Sequence, residues 1–373
     1  MIDPTRIRLA RQRQGLTRSA LAVEVGVTTR TLTTWECDGA PDSRCAALVV
    51  ATCQPAAFFR RPTLQEVAEG AAFFRARRRA GAGLRHRSLS LGALGTDFYG
   101  EVAALFHLPP LRLPAADPRL SPAGAARELR ASWGLGAGAL PNLVQLAESR
   151  GVRVLGLPVE TVDIDAFSFW GEDGRPYVFL SRLKTSERSR FDLAHEIGHL
   201  VLHGSTVSAG ERTDRELERE ADAFAAELLM PESTVRAQVP RSPSLARVLA
   251  LKELLGVSAR AAARAVYDAG RLTDWGYRQL QVELSLRGFD DDEPGSGLPH
   301  EQSRVFRTLA DHLRSTRTPV GTWAESIGQR PQDVAALTLG QVLTSVHPPA
   351  GSPDVAAHDD PAPGGRPELS LVH

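Results

Sequence analysis

Along most of the chain, apolar residues recur at three- and four-residue spacing, the mark of helices with one buried face. The first such face begins at Ile7, Leu9 and Ala10. Thr17 is predicted to cap a second helix carrying Ala20, Leu21, Ala22 and Val25, which Gly26 ends. A third helix is expected over Thr29 to Trp35, closed by Gly39 and Pro41, and a fourth over Ser43 to Thr52. Further on, Phe73 and Phe74 precede an arginine run, and helical segments follow near Thr96 to Phe106. The proline-rich stretch from Leu108 to Pro118 reads as a linker. Helices are then expected over Ala123 to Trp133 and over Leu140 to Arg150.

The pattern changes between residues 152 and 180. Val152 to Leu157, Ala166 to Trp170 and Tyr177 to Leu180 are short apolar or aromatic runs separated by Gly, Asp and Pro, and they predict strands. Gly171 to Pro176 fits a hairpin turn between the last two. Helical spacing returns over Ser189 to His203 and Glu211 to Met230, where Pro231 stops it. More helices are expected over Ser244 to Leu255, Ser258 to Ala269 and Thr273 to Arg287, and through Leu343. The residues after Pro348 are rich in Pro, Gly, Asp and Ala, and are expected to be disordered. The fold class is therefore mainly α with a small antiparallel β-sheet (α+β).

A chain of 373 residues that is 42% apolar can bury more than one core, so two or three domains are expected. The boundaries drawn from these patterns are 1–60, a connector over 61–122, 123–235, a helical extension over 236–347 and the tail over 348–373. The formal net charge is zero, which gives no global hint of a nucleic-acid or membrane partner. Cys37, Cys45 and Cys53 are an odd, clustered set, unlike a disulfide framework. With no apolar segment in the charged start and no run near the ~20 residues of a membrane span, a cytoplasmic protein is expected.

The chemistry concentrates in Phe191-Asp192-Leu193-Ala194-His195-Glu196-Ile197-Gly198-His199-Leu200, which contains H-E-x-x-H. On a helix, positions i and i+4 lie one above the other, so His195 and His199 can reach one zinc ion. Glu196, offset by about 100°, can flank the ion and take a proton from a zinc-bound water. Leu193, Ile197, Leu200 and Val201 make this helix a buried one, where two histidines and a glutamate are costly unless paired or ligated. The alternative is a pair of satisfied core histidines.

Zinc needs a third protein ligand. Glu218 and Asp222 share a face of the next helix, so Glu218 is expected to bind the metal and Asp222 to accept the free N–H of a histidine ligand. Glu220 points elsewhere and is expected to be exposed. His203 sits one turn beyond His199, where a third ligand on the same helix converges poorly, and it is expected to shape the cleft instead. Tyr177, Arg190 and His203 are all candidates to stabilise an oxyanion, and spacing does not choose among them.

Asp192 to Leu200, followed by Glu220-Ala221-Asp222-Ala223-Phe224-Ala225-Ala226-Glu227-Leu228-Leu229-Met230-Pro231, resembles the ImmA/IrrE family of metallopeptidases over roughly residues 125 to 235. The resemblance implies a gluzincin-like fold with a small antiparallel sheet beside two metal-bearing helices. It also implies cleavage of transcriptional repressors. The family's metal-binding glutamate corresponds to Glu218 when the two sequences are anchored on Leu228-Leu229-Met230-Pro231.

The N-terminal helices carry a helix-turn-helix layout. Arg18, Thr28, Thr29, Arg30 and Thr33 are its candidate contacts to double-stranded DNA. Residues 1 to 62 hold nine Arg against five acids, a net of +4, and residues 75 to 87 add six Arg without acids. Gly15-Leu16-Thr17, Leu21-Ala22, Gly26-Val27 and Trp35-Glu36 resemble the Xre/Cro-like family. Two departures, Arg18 and the loop Glu36-Cys37-Asp38-Gly39, leave base specificity open. The alternative is a helical bundle that mediates only protein contact.

Together these features predict a cytoplasmic DNA-binding transcriptional regulator with a zinc metallo-endopeptidase domain. Its substrate would be a protein partner such as a repressor, and homodimerisation is expected from the helix-turn-helix class. The rivals are a non-proteolytic transcription factor whose metal domain senses or holds a fold, and an antitoxin-like regulator.

Overall fold

A computed structural model describes residues 1–68, 72–76, 82–159, 164–204, 213–290 and 292–342. The expectations for Arg77, Arg78 and Arg79 and for the C-terminal tail lie outside the described residues. The chain opens with α1 (Pro4–Arg13), α2 (Arg18–Glu24), α3 (Thr29–Asp38) and α4 (Cys45–Thr52). Each of the first three begins at a side-chain cap: Asp3 accepts from the Arg6 N–H, Thr17 from Ala20 and Thr28 from Thr31. Such caps satisfy N–H groups that a helix leaves without partners. Thr28 is therefore the cap of the third helix, which starts at Thr29 as expected. Gly26 makes the turn between α2 and α3 at φ +69°, a conformation that favours glycine.

Next come β1 (Ala72–Ala76), α5 (Ala82–Leu105), α6 (Pro122–Ser132), α7 (Leu143–Ser149), β2 (Arg153–Gly156), β3 (Ile164–Trp170) and β4 (Pro176–Leu180). The sequence pattern showed neither β1 nor the full length of α5. The helices α8 (Ser186–Leu202), α9 (Asp214–Leu229) and α10 (Glu232–Gln238) follow. The chain continues through α11 (Leu245–Leu255), α12 (Ala259–Asp268), α13 (Asp274–Leu286), α14 (Arg304–Ser315), α15 (Val320–Ser326) and α16 (Pro331–Leu337).

The sheet has the order β1-β3-β4-β2 and is mixed, which corrects the antiparallel expectation. β1 and β4 both run antiparallel to β3, and β2 runs parallel to β4. The reason is visible in β4: every residue of Pro-Tyr-Val-Phe-Leu is buried. A strand apolar on both faces belongs inside a sheet, so the β3–β4 hairpin seats β4 centrally and leaves its far side for β2.

Strand alternation separates the two faces. Phe167 stacks on Phe179 with centroids 4.5 Å apart, and Phe169 on Tyr177 at 5.2 Å. These rings meet α5, where Gly95 allows the approach: a Cβ there would lie 2.5 Å from the Phe179 ring. The opposite face, bearing Ser168 and Trp170, meets α8, with the Trp170 indole N–H donating to the Leu200 carbonyl. The sheet is thus a layer between α5 and α8.

The N-terminal helices share one core, in which Ile7, Leu21, Leu32 and Leu48 are buried with Ala93 and Leu94 of α5. The C-terminal helices close over the other side. Glu148 of α7 accepts from the Ser303 hydroxyl and the Arg304 N–H at the start of α14. Asp333 of α16 binds Arg13 of α1 at 2.5 Å. Among the described residues no helix is long and apolar enough to cross a membrane, and the three cysteines are free.

Candidate metal centre

The site forms where α8 and α9 cross. Their close approach depends on Gly198: a Cβ there would come 3.1 Å from the Phe224 ring and 3.3 Å from the Ala221 carbonyl. Any larger residue would push α9, and with it Glu218, away from the histidines. The far end of α9 is pinned by Arg130 of α6, whose guanidinium bonds the Leu228 carbonyl.

Here His195, His199 and Glu218 come together, each offering one donor atom to a common point. The two Nε2 atoms are 3.0 Å apart, and Glu218 oxygens lie 3.1 Å from His199 Nε2 and 3.4 Å from His195 Nε2. Donors about 2.0–2.1 Å from one tetrahedral ion would sit roughly 3.3 Å from each other, close to these separations.

The tautomers follow from the partners. Asp222 Oδ1 lies 2.9 Å from His195 Nδ1, so Nδ1 carries the proton and Nε2 a lone pair. Glu220 Oε2 lies 3.0 Å from His203 Nε2, and His203 Nδ1 lies 3.1 Å from His199 Nδ1. His203 then donates to Glu220 and accepts from His199, which leaves the His199 Nε2 lone pair facing the same point. Two lone pairs and a carboxylate converging on one spot repel unless a cation or a proton joins them. Burial pushes His199 down to about 4, which disfavours the proton. The donor set fits a divalent cation, with the Glu218 carboxylate in the set and those of Asp222 and Glu220 behind the imidazoles.

Glu196 is fully buried, and its Oε2 accepts from the Ser168 hydroxyl at 2.5 Å. Glu218 is held well below the usual carboxylate range: burial would raise it, but the adjacent imidazoles of His195 and His199 override that. Glu220 corrects its expected place at the surface, since it is tied to His203. The Glu220–His203–His199 chain and the Ser168 contact escaped the sequence reading. Only the four-residue step from His199 to His203 signals the first, and nothing local signals the second. Phe73 of β1, also missed, stacks on His199 with centroids 4.8 Å apart and planes 7° apart.

Of the oxyanion candidates, Tyr177 donates to Asp173 at 3.0 Å, and Arg190 bonds Glu301 and the carbonyls of Leu140 and Pro141. Both are committed to structural partners.

In the N-terminal helical unit, Arg18, Thr28, Thr29, Arg30 and Thr33 are all exposed. Arg18 binds Glu36 at 2.7 Å, and the Thr33 hydroxyl donates to the Thr29 carbonyl. The arginine surplus is partly internal: Arg6 and Arg13 are buried, and Arg11 is paired with Glu36. A count of charges therefore overstates the positive surface.

Residues 147–267 match the sequence profile of the IrrE N-terminal-like domain, Peptidase_M78. All of His195, Glu196, His199, Glu218 and Asp222 fall inside that match, whereas β1 and the N-terminal helices lie before it. The radiation response metalloprotease IrrE of Deinococcus radiodurans is 28% identical over 194 residues, covering 48% of this chain and 56% of that protein. The chain thus spans about half the length of this curated relative. The similarity supports the metallopeptidase reading of this region, and a divalent metal with it.

Proposed function

We propose that this chain is a cytoplasmic DNA-binding regulator whose zinc-dependent endopeptidase domain hydrolyses a bond in a protein partner. A transcriptional repressor is the first candidate substrate. The reading rests on one observation above all: the donors of His195, His199 and Glu218 converge beside the buried carboxylate of Glu196. His195, His199 and Glu218 would hold zinc. When bound, zinc supplies the Lewis acidity that polarises a peptide carbonyl and acidifies water. Ser168 orients the Glu196 carboxylate, which takes the proton of the attacking water and returns it to the leaving amine.

Purified protein should carry about one zinc per chain and cleave a repressor encoded beside its gene. Chelation should stop cleavage, and added zinc should restore it. Cleavage that persists without metal would refute the proposal. Asp222 and Glu220 orient the two ligating imidazoles, so Asp222→Ala should weaken zinc binding about 10–100-fold, as read by competition with a chromogenic chelator.

The helix-turn-helix unit would hold double-stranded DNA as a homodimer, with the start of α3 in the major groove. Arg30→Ala should weaken binding to a duplex selected from a random pool by about 1–3 kcal/mol. Equal affinities in a gel-shift titration would remove Arg30 from base recognition.

A further inference from the structure

The edge of the sheet beside the metal centre is filled by a strand from elsewhere in the chain. β2, β3 and β4 all lie within residues 147–267, the part that matches the peptidase-like domain; β1, over Ala72–Ala76, lies before it. β1 pairs antiparallel along β3, with Phe73 opposite Ser168. Ser168 is the residue bonded to Glu196, and Phe73 stacks on His199 and lies 5.8 Å from the His203 ring. The backbone of β1 therefore runs across the mouth of the centre in extended form, with one aromatic side chain directed at it.

An extended peptide adds to a sheet edge through main-chain hydrogen bonds and gains selectivity from alternate side chains. The β3 edge is where such a peptide would meet Glu196, and β1 occupies it. β1 is also less enclosed than the centre of the sheet: Ala72 and Phe73 are only half-buried, while every residue of β4 is buried. The pairing loses register between Arg75 and Ala76. Elements that must move are drawn from the least stable parts of a fold.

We infer that β1 is an intramolecular stand-in for substrate: it holds the β3 edge until displaced, and the true substrate is an extended segment with a large aromatic or apolar side chain in the place of Phe73. Cleavage after displacement rests on the peptidase reading, whereas strand exchange itself does not.

The test uses the full chain, Arg75→Pro and Phe73→Asp, each checked for zinc content and circular dichroism. Arg75 lies opposite Ala166 with its backbone facing β3, so proline there removes a ladder bond, and the aspartate replaces the ring that stacks on His199 with a charge. A fluorescent capped peptide centred on Ala72-Phe73-Phe74-Arg75-Ala76 is the binding probe, used with and without zinc, and unfolded casein is the cleavage probe. Apparent affinity scales with the fraction of molecules whose edge is open, so both variants should bind the peptide about tenfold or more tighter than the parent. Both should cleave casein faster by a similar factor, and Glu196→Gln should remove only the cleavage.

Variants that fold and keep zinc, yet gain no peptide binding over the parent, would overturn the inference. Equal, Glu196-dependent cleavage by parent and variants would sink the inference and leave the peptidase reading intact. Peptide binding that rises while casein stays whole in every form would support strand exchange and count against the peptidase. If neither variant folds, amide exchange of the unaltered protein decides. The Phe73 and Arg75 amides, which face β3, should exchange faster than those of β3 and β4, and faster still with saturating peptide; protection equal to β4 would overturn the inference.

Discussion

Glu196→Gln is expected to keep zinc bound and the fold intact while slowing hydrolysis about 10²–10⁴-fold. The geometry makes this substitution informative. Glutamine has the shape of glutamate, and its amide oxygen can still accept the Ser168 hydroxyl that glutamate accepts at 2.5 Å. What it lacks is a basic oxygen able to take a proton. His195, His199 and Glu218 keep their bonds to Asp222, His203 and one another in this variant. Rates should be compared at matched zinc content, with the cut site mapped by mass spectrometry. A variant that cleaves at the parent rate with full zinc would take Glu196 out of the chemistry. Removal of His195 should act differently, losing metal and activity together.

How much of this was legible in the sequence depends on the range of the interactions. His195, His199 and Glu196 were readable because four-residue spacing on one helix fixes their relative placement. Glu218 and Asp222 were readable because the same rule holds on α9 and because the motif asks for a third ligand. Caps such as Thr17 were readable because they act within three residues. The sheet was only partly so. The β3–β4 hairpin is local, with a short turn, but β2 beside β4 and β1 beside β3 are pairings across long stretches of chain that no local pattern encodes. β1 is the clearest case: Phe73 and Phe74 stand before an arginine run, and their strand character appears only when β3 offers an edge. The Glu220 error has a similar origin. Helical angle placed it away from Glu218, but the last turn of α8 brings His203 to that second face. The C-terminal helices were expected from their periodicity, whereas their attachment to the N-terminal unit depends on buried charges far apart in sequence.

That attachment sets the second large effect. Asp333→Ala is expected to destabilise the protein by about 3–5 kcal/mol. Asp333 is 1% exposed and receives Arg13 at 2.5 Å, and Arg330 at 2.7 and 2.8 Å. Arg13 and Arg330 are themselves buried, so alanine would remove a carboxylate that both guanidinium groups share, in a place where water is excluded. The carboxylate between the two positive charges would then be gone, and their mutual repulsion in low dielectric would rise. An exposed pair provides the contrast. Arg264 and Asp268 lie 2.8 Å apart with side chains 60% and 53% exposed, and Asp268→Ala should cost only about 0–1 kcal/mol. Urea unfolding of both variants checks the difference, and equal midpoints would mean that Asp333 is hydrated in solution. The place of the loss matters as much as its size. Arg13 closes α1 of the N-terminal helical unit, and α16 packs on β2, where a Cβ on Gly156 would overlap the Ala336 carbonyl. Asp333 therefore joins the proposed DNA-reading helices to the sheet that carries the metal centre. Loosening it should raise amide exchange in α1 and α16 before it does so in α8, because α8 is held separately by α9 and the sheet.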